Sequence, residues 1–383
     1  MPCLNESATL ARCIARAHEA LHVLQRRHHL HGEVIVADNG STDGSQDIAR
    51  DAGARVVEVP EKGYGAALMG GFRSARGRYV VMGDSDCSYD FVESVQMVEK
   101  LMEGADLCMG SRFKGEIQQG AMPWKNKYIG NPVLSGILRF LVKTDVDDAH
   151  CGLRALTRKC LEKMRLTSTG MEFASEMVLK AAIMDLKISE VPVTLSPDER
   201  GRPPHLSPWR DGFRHLFFML MLCPSWLFIA PAAVLGSLGL ALIVSLIAGG
   251  QGMVAFGIFR IGEHWAVAAS AFIVLSAQIA GFGVIAMAQS YRDGIRQPFG
   301  VMGAFLKVSK LKHWLVAGLV SMTAGFAWAA AITMGWIGSD FASLDAIRDL
   351  IAAFTAIVVG VQLASTGFLL SIVTGNRLNH APG

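Results

Sequence analysis

Paired cysteines are missing from this 383-residue chain, as are charges over most of its second part and any basic excess over its first. The seven cysteines (Cys3, Cys13, Cys87, Cys108, Cys151, Cys160 and Cys223) include no C-x-x-C pair. Neither a disulfide framework nor a zinc site is indicated, and reduced thiols are expected. Residues 1–214 hold 28 Lys/Arg against 28 Asp/Glu. That balance offers no basic face, so nucleic acid is not an expected partner. No basic, apolar leader precedes the first charged segment, so no cleaved signal peptide is expected and the first part is placed in the cytoplasm. Internal repeats and low-complexity tracts are not visible; His28, His29 and His31 cluster in a polar turn and read as solvated surface rather than a metal site.

Residues 215–383 hold only 8 Lys/Arg and 5 Asp/Glu, and the net charge of +3 arises there. Four charge-free stretches run Leu216–Phe259, His264–Tyr291, His313–Ser339 and Leu350–Asn376. Each exceeds the roughly 20 residues that cross a hydrocarbon core, which excludes a protein confined to one aqueous compartment. Pro224 interrupts the first stretch, and the spans are expected at about 226–247, 264–290, 314–337 and 350–374. Arg210 and Arg214 precede the first span, Arg292, Arg296, Lys307, Lys310 and Lys312 separate the second from the third, and Arg377 follows the fourth. Only Arg260 and Arg348 lie in the other two connections, so the positive-inside asymmetry places both termini in the cytoplasm of a multi-pass inner-membrane protein. Between the two parts, Trp209, Phe213, Leu216, Phe217 and Leu220 recur at helical spacing, with Arg210, Asp211 and Arg214 on other faces. This predicts an amphipathic helix over 207–224 lying in the membrane interface.

The first part alternates. Val34–Ala37, Val56–Val59, Tyr79–Met82 and Leu107–Met109 are short apolar runs suited to buried parallel strands, with helical patterns such as Thr9–Leu24 and Phe91–Met102 between them. An α/β domain over 1–206 is expected, its site at the carboxyl ends of the strands, followed by an all-α membrane part over 225–383.

One strand runs straight into two acids: Tyr79-Val-Val-Met-Gly-Asp-Ser-Asp ends at Asp86, with Asp84 one residue before it. Two carboxylates so placed can share a hard cation, Mg²⁺ or Mn²⁺, whose other positions suit substrate phosphates. Such a triplet is common by chance and gains meaning from its surroundings. Pro2-Cys-Leu-Asn-Glu6 opens the chain, Val34-Ile-Val-Ala-Asp-Asn-Gly-Ser-Thr-Asp43 follows, and Lys62-Gly-Tyr-Gly-Ala-Ala stands about one helix ahead of the acidic strand. Glycines at 63 and 65 permit a close backbone approach. Taken in order over residues 1–206, these segments resemble the family 2 glycosyltransferases of GT-A fold, in particular the polyprenyl-phosphate group that includes dolichol-phosphate mannose synthase.

The resemblance implies a mixed, mostly parallel sheet and transfer of a hexose from a nucleotide sugar to a polyprenyl phosphate, with GDP-mannose and UDP-glucose both fitting as donor. It implies Pro2, Glu6, Asp38, Lys62 and Asp84 for the nucleotide, and Asp84 and Asp86 for the metal. Gly110-Ser-Arg112, Asp148-Ala-His-Cys-Gly-Leu-Arg154, Glu172–Glu176 and Glu190-Val-Pro-Val match as well. Asp86, Arg112 and Asp148 are the candidate catalytic residues, Asp148 being equally open to a salt bridge with a neighbour. Lys125, Lys127, Ser135 and Arg202 are the candidates for the lipid phosphate, with Arg154 a further cation there. The implied partners are thus the donor, the lipid phosphate and the bilayer; self-association stays open.

This sequence departs from the family at several points. Ser88 stands where Gln is frequent, Asn131 where an Arg is frequent ahead of Ser135, and His205 where a Lys is expected, while Arg200 and Arg202 compete for the diphosphate. Only Met1 precedes Pro2, where the resemblance implies a whole apolar strand, so the expectation is that Met1 is internal to a chain beginning several residues earlier. A processive polysaccharide synthase is disfavoured because no Q-x-x-R-W follows the acids. Two other readings remain: a transferase acting on a lipid hydroxyl, with Asp148 or Glu176 as base, and a membrane scaffold or flippase with a degenerate head.

Overall fold

The computed structural model describes residues 1–142, 144–199, 208–248, 254–256, 259–261, 264–293, 300–341 and 346–375. The chain divides into two compact units, Met1–Leu222 and Cys223–Gly383.

In the first unit the order is β1 (Pro2–Cys3), α1 (Leu10–His28), β2 (Ile35–Asp38), α2 (Ser45–Asp51), β3 (Arg55–Glu58), α3 (Tyr64–Ser74), β4 (Tyr79–Met82), α4 (Ser94–Met102) and β5 (Leu107–Ile117). Then come α5 (Asn131–Val142), β6 (Arg154–Thr157), α6 (Arg158–Met164), α7 (Phe173–Ile183), β7 (Ile188–Leu195) and α8 (Pro208–Leu222). β1, β2 and β3 form one parallel sheet, and a second sheet has the order β4-β6-β5-β7. The second sheet is mixed, as the resemblance implies: β6 runs antiparallel to both β4 and β5, and β5 with β7 is parallel. The Arg-Ala-Leu-Thr of β6 has no apolar run to announce a strand, yet it is held at the centre of its sheet by Arg154, which is fully buried.

Alternation along β2 shows how the layers form. Val34 and Val36 join Leu10, Ile14 and Ala17 of α1 in the main core, while Ala37 packs with Ala66 and Ala67 of α3. Successive side chains of a strand leave on opposite faces, so each strand is covered on both. The two sheets do not meet. Between the free edge of the β1–β2 pair and β4 lies a cavity of about 700 Å³, floored by β2 and β4 and walled by α1, α3 and α4.

α8 presents two faces. His215 and Met219 are buried, while Phe213, Phe217 and Met221, four residues apart each, are exposed, with the Phe213 and Phe217 rings stacked at 6.3 Å.

The second unit contains α9 (Ala230–Ala248), the short hairpin β8 (Val254–Phe256) and β9 (Phe259–Ile261), α10 (His264–Arg292), α11 (Gly300–Val308), α12 (Leu311–Gly338) and α13 (Ile347–Val373). Among the described residues four segments are long and apolar enough to cross a membrane: Ser225–Ile247, His264–Arg292, Leu311–Gly338 and Ile347–Val373. Lipid tails are as apolar as leucine, so helices associate through close packing and hydrogen bonds instead. Small residues and hydroxyls supply both here. A methyl group on Gly318 would stand 2.6 Å from the Gly360 carbonyl oxygen, and Ser321 Oγ donates to Ala356 O at 2.7 Å, which seals α12 against α13. Ser276 Oγ donates to Ala232 O at 2.7 Å, joining α10 to α9.

Candidate active site

The amino-terminal turn is bolted to the loop after β2. Glu6 N donates to Ser45 Oγ at 3.0 Å, Asn5 N to Ser41 Oγ at 2.9 Å, and Thr42 N to Asn5 Oδ1 at 2.8 Å. Asp38 closes β2 with its carboxylate turned onto its own loop, accepting from Gly40 N at 3.0 Å, Ser41 N at 3.1 Å and Gln46 Nε2 at 2.8 Å. Burial alone would raise its pKa, but the donors from Ser41, Gln46 and Gly40 outweigh it and hold the carboxyl below the ordinary range. Lys62 Nζ donates to Asn39 O at 2.6 Å, and Asn39 Oδ1 accepts from Gly63 N at 2.9 Å. The glycines of this loop do permit a close backbone approach, and the partner is the protein: a Cβ on Gly63 would collide with Thr169 O, and one on Gly65 with Ser168 O. Gly63 also has φ +135°, outside the reach of ordinary side chains.

The loop after β4 carries the paired acids and is held from three directions. Ser85 Oγ donates to Pro2 O and Thr9 Oγ1 donates to Ser85 O, each at 2.7 Å. Tyr64 donates its phenol to Asp84 Oδ1 at 3.0 Å, and Asp86 Oδ1 accepts from Ser88 N at 2.9 Å. Burial, with the Asp84 charge beside it, pushes the Tyr64 phenol well above its ordinary pKa, so it stays a donor. From the third side comes Gly152, where a side chain would run into Asp84 Oδ2 and whose N–H donates to Tyr89 OH at 3.0 Å.

Gly152 ends the loop that starts at Asp148, and that loop supports Arg112. Asp148 Oδ2 accepts from Arg112 N at 3.0 Å and Nε at 2.7 Å, and Oδ1 accepts from Nη2 at 2.7 Å. Arg112 is 8% exposed and Asp148 not at all. Burial pushes the Asp148 carboxyl up, but Arg112 pulls it down further, and the net position is below the usual carboxylate range. Glu190 Oε1 accepts from the Asp147 and Asp148 N–H groups at 2.9 and 3.1 Å, fixing the loop from β7. Of the two roles open to Asp148, the geometry is that of the salt bridge. Glu176 is likewise engaged: it is buried, paired with Lys180 at 2.6 Å, and accepts from Ser168 N at 2.8 Å.

Four of the phosphate candidates lie among the described residues. Arg154 faces no open site; it donates to the carbonyls of Cys151, Ala174 and Ala149 at 2.8, 2.7 and 2.9 Å, because a buried guanidinium must find acceptors inside. Ser135 is buried in α5, and its Oγ accepts from Ala149 N at 3.3 Å. Lys125 and Lys127 lie on the segment entering α5, Lys127 Nζ being 5.7 Å from the Tyr128 ring. Arg200, Arg202 and His205 lie outside the described residues. Tyr64, Thr9, Ser85, Asn39 and Glu190 form a group of fasteners to which the motif reading gave no role. A further set joins α7, α8 and the Asp148 loop: Ser175 Oγ lies 2.7 Å from His215 Nδ1 and 3.5 Å from His150 Nε2. His150 is half-buried with its Nδ1 buried and unmatched, and desolvation together with His215 pushes it down to about 3. Tyr64, Asn39, Ser85, His150, Ser175 and Glu190 lie inside the quoted motifs, but what each of them holds is visible only in the packing.

Among the described residues no three or more His, Cys, Asp or Glu side chains converge on one metal position. Asp84 and Asp86 supply oxygen donors at a strand end, a set that fits a hard divalent cation completing its shell with phosphates and water.

Residues 1–165 match the model of glycosyl transferase family 2, and residues 284–374 that of the family 2 glycosyltransferase C-terminal transmembrane region. Over 375 residues the chain is 37% identical to the low-salt glycan biosynthesis hexosyltransferase of Haloferax volcanii, covering 97% of this chain and 87% of that one. The chain belongs to glycosyltransferase family 2. This family 2 enzyme combines a GT-A type α/β head with a membrane part of four long apolar helices. It is also 32% identical over 183 residues to the dolichyl-phosphate hexose transferase of the same organism, covering 47% of this chain and 76% of that one. Among solved structures, glucosyl-3-phosphoglycerate synthase of Mycobacterium tuberculosis with Mn²⁺ and UDP-glucose matches at 24% identity and TM-score 0.45, over 57% of this chain and 76% of that one.

Proposed function

We propose that this glycosyltransferase moves a hexose from GDP-mannose or UDP-glucose to a polyprenyl phosphate at the cytoplasmic membrane face, with inversion at the anomeric carbon. One observation carries the choice of acceptor: both carboxylates that could serve as a base, Asp148 and Glu176, are buried in ion pairs with Arg112 and Lys180. A lipid hydroxyl needs a proton acceptor to become a nucleophile. A phosphate arrives as an anion and needs none. The names of two relatives, a hexosyltransferase and a dolichyl-phosphate hexose transferase, support the same reading.

The roles then follow from the fasteners. Glu6, Asp38 and Lys62 line the nucleoside side of the cleft, held by the loops that bind Ser41 and Ser45. Asp84 and Asp86 would hold Mg²⁺ or Mn²⁺, which when bound supplies positive charge against the departing diphosphate. Arg112, with two side-chain donors on Asp148, keeps the remainder for the phosphate oxygens that gain charge as the glycosidic bond breaks. The acceptor oxygen forms its bond to the anomeric carbon as the bond to the nucleoside diphosphate breaks on the far side, and no proton moves.

The acceptor's chain stays in the bilayer, so the head must meet the interface. Phe213, Phe217 and Met221 on α8, with Trp124, Tyr128 and Phe140 around α5, form exposed apolar surface on two helices in mutual contact, beside Lys125, Lys127 and Arg214. Apolar side chains flanked by cations suit an anionic lipid surface. The test incubates membranes containing the protein with radiolabelled nucleotide sugars and polyprenyl phosphate, with and without Mn²⁺ or Mg²⁺. Lipid-extractable label that needs the metal is expected. No such product with any donor, or transfer to a dephosphorylated polyprenol instead, overturns the reading.

A further inference from the structure

Cys13 on α1 and Cys87, the residue directly after Asp86, hold their sulfurs 3.4 Å apart. Their positions differ by 74 in the chain, so the tertiary fold makes this contact. The two thiols differ in access. Cys13 is buried, whereas Cys87 is the one cysteine of the seven that is not. Cys87 also has φ +65°, a left-handed conformation that a side chain other than glycine holds only where its surroundings fix it. Those surroundings meet at its sulfur: Cys87 Sγ donates to Thr9 O at 3.7 Å, and Arg12 Nε donates to Cys87 Sγ at 3.3 Å. The same guanidinium pairs with Glu199, whose N–H donates to Asp86 O at 3.3 Å. We propose that Cys13 and Cys87 are an oxidative modification site, which a hydroperoxide converts from two neighbouring thiols to a disulfide.

Cys87 is the sulfur within reach of solvent, so it attacks the peroxide. An S–O bond forms to one peroxide oxygen as the O–O bond breaks, and the other oxygen leaves with the thiol's proton as water or an alcohol. The sulfur, oxidised by two electrons, is left as a sulfenic acid. Arg12 faces the negative charge that this sulfur carries during the attack. Cys13 then attacks the Cys87 sulfur: the S–S bond forms, the S–O bond breaks, and the hydroxyl leaves with the Cys13 proton as water. Two thiols and one hydrogen peroxide thus give one disulfide and two waters. To bond, the sulfurs close from 3.4 Å to about 2.05 Å. Cys13 is anchored in the main core beside Leu10 and Ile14, so the loop gives way and carries Asp86 with it. A misplacement of about 1 Å at a positioned group costs on the order of 100-fold in rate. That consequence rests on the proposed metal role of Asp86; the modification itself does not.

For the test, the full chain in detergent is treated with hydrogen peroxide, its remaining thiols are alkylated, and its peptides are mapped by mass spectrometry. A Cys13–Cys87 cross-linked peptide is expected, lighter by two hydrogens than the two thiol peptides together and split by dithiothreitol. Cys87 recovered as an alkylated thiol overturns the proposal, as does Cys87 oxidised beyond the sulfenic acid with Cys13 still alkylated. Cys13→Ser removes the second sulfur, so dimedone should then trap a sulfenic acid at Cys87 and no cross-link should form. A Cys87 without the dimedone adduct overturns the order of attack. Mn²⁺ binding, followed by the EPR signal of the free ion, should weaken by about 10–100-fold in the oxidised protein and recover with dithiothreitol. A cross-linked protein whose Mn²⁺ binding is unchanged overturns the link to Asp86. The mass map does not depend on activity, so a reduced protein that binds no Mn²⁺ overturns the metal reading and not the modification.

Discussion

Asp148 grips Arg112 by three hydrogen bonds, one from the backbone and two from the guanidinium, with Asp148 wholly buried and Arg112 nearly so. A bidentate pair of this kind fixes both the direction and the charge of the arginine. It also keeps the carboxylate ionised, which takes it out of acid–base work over the physiological range.

Asp148→Asn keeps the shape but leaves Arg112 as an uncompensated buried charge, a change that typically costs about 3–5 kcal/mol. Transfer should fall by roughly 100-fold or more, the scale of losing one positioned donor. Initial rates from pH 5 to 8 should retain the wild-type profile at lower amplitude. A limb of the profile that disappears in the variant would show Asp148 to be a base.

Tyr64→Phe removes the hydroxyl that orients Asp84 and adds nothing. Groups that steady a metal ligand typically contribute about 10–100-fold in metal affinity. The Mn²⁺ concentration for half-activation should rise by that factor while the rate at saturating metal stays within a few-fold. Asp86→Ala, by contrast, should abolish transfer at every metal concentration and leave membrane insertion intact.

His150 makes the head sensitive to acid. Its folded pKa, about 3, lies below the 6.5 of an exposed imidazole, so the unfolded chain takes up a proton that the folded one refuses. Stability is therefore full above about pH 6.5 and declines as pH falls toward 3, with a slope of at most about 1.4 kcal/mol per pH unit from this group. Asp43, held down to about 2 by Ser45 and Ser7 against the opposing effect of burial, adds to the loss only below its ordinary value of 3.8. His150→Phe should flatten the curve between pH 6.5 and 4, read by circular dichroism of thermal unfolding.

Gly65→Ala drives a methyl group into Ser168 O and should raise the donor KM, with a stability loss of about 1–3 kcal/mol. Gly136→Ala on α5 meets nothing within 4 Å and should be neutral or slightly stabilising. Equal effects at the two positions would mean that the Lys62–Gly65 loop is not seated on Ser168–Gly170.

What could be read from residue order was whatever depends on periodicity and composition. Tyr79–Met82 is the strand expected, and the four long apolar helices lie within a few residues of the expected spans, because burial on both faces and membrane thickness each leave a run of apolar letters. β6 left none: a strand opening on Arg154 becomes buried only because three carbonyls, from Cys151, Ala174 and Ala149, converge on its side chain. The site shows the same division. Motif order singled out Asp84, Asp86, Arg112 and Asp148, but not that two of them pair with each other. Pairing across 36 positions leaves no local trace. Arg154 and Ser135 stand in motifs that the resemblance ties to the lipid phosphate, and both are bonded to the Ala149–Cys151 loop, which only the packing reveals.

Ser85 sits between the two acids and is tied on one side to Pro2 and on the other to Thr9. The Pro2–Glu6 turn, proposed for the nucleoside, and the Asp84–Asp86 loop, proposed for the diphosphate, are thus a single mechanical piece. An inhibitor need not compete at the crowded, highly charged phosphate position to disarm it. A small molecule wedged beneath Pro2–Glu6 would draw Ser85 with it and pull Asp84 and Asp86 out of register, without touching either carboxylate.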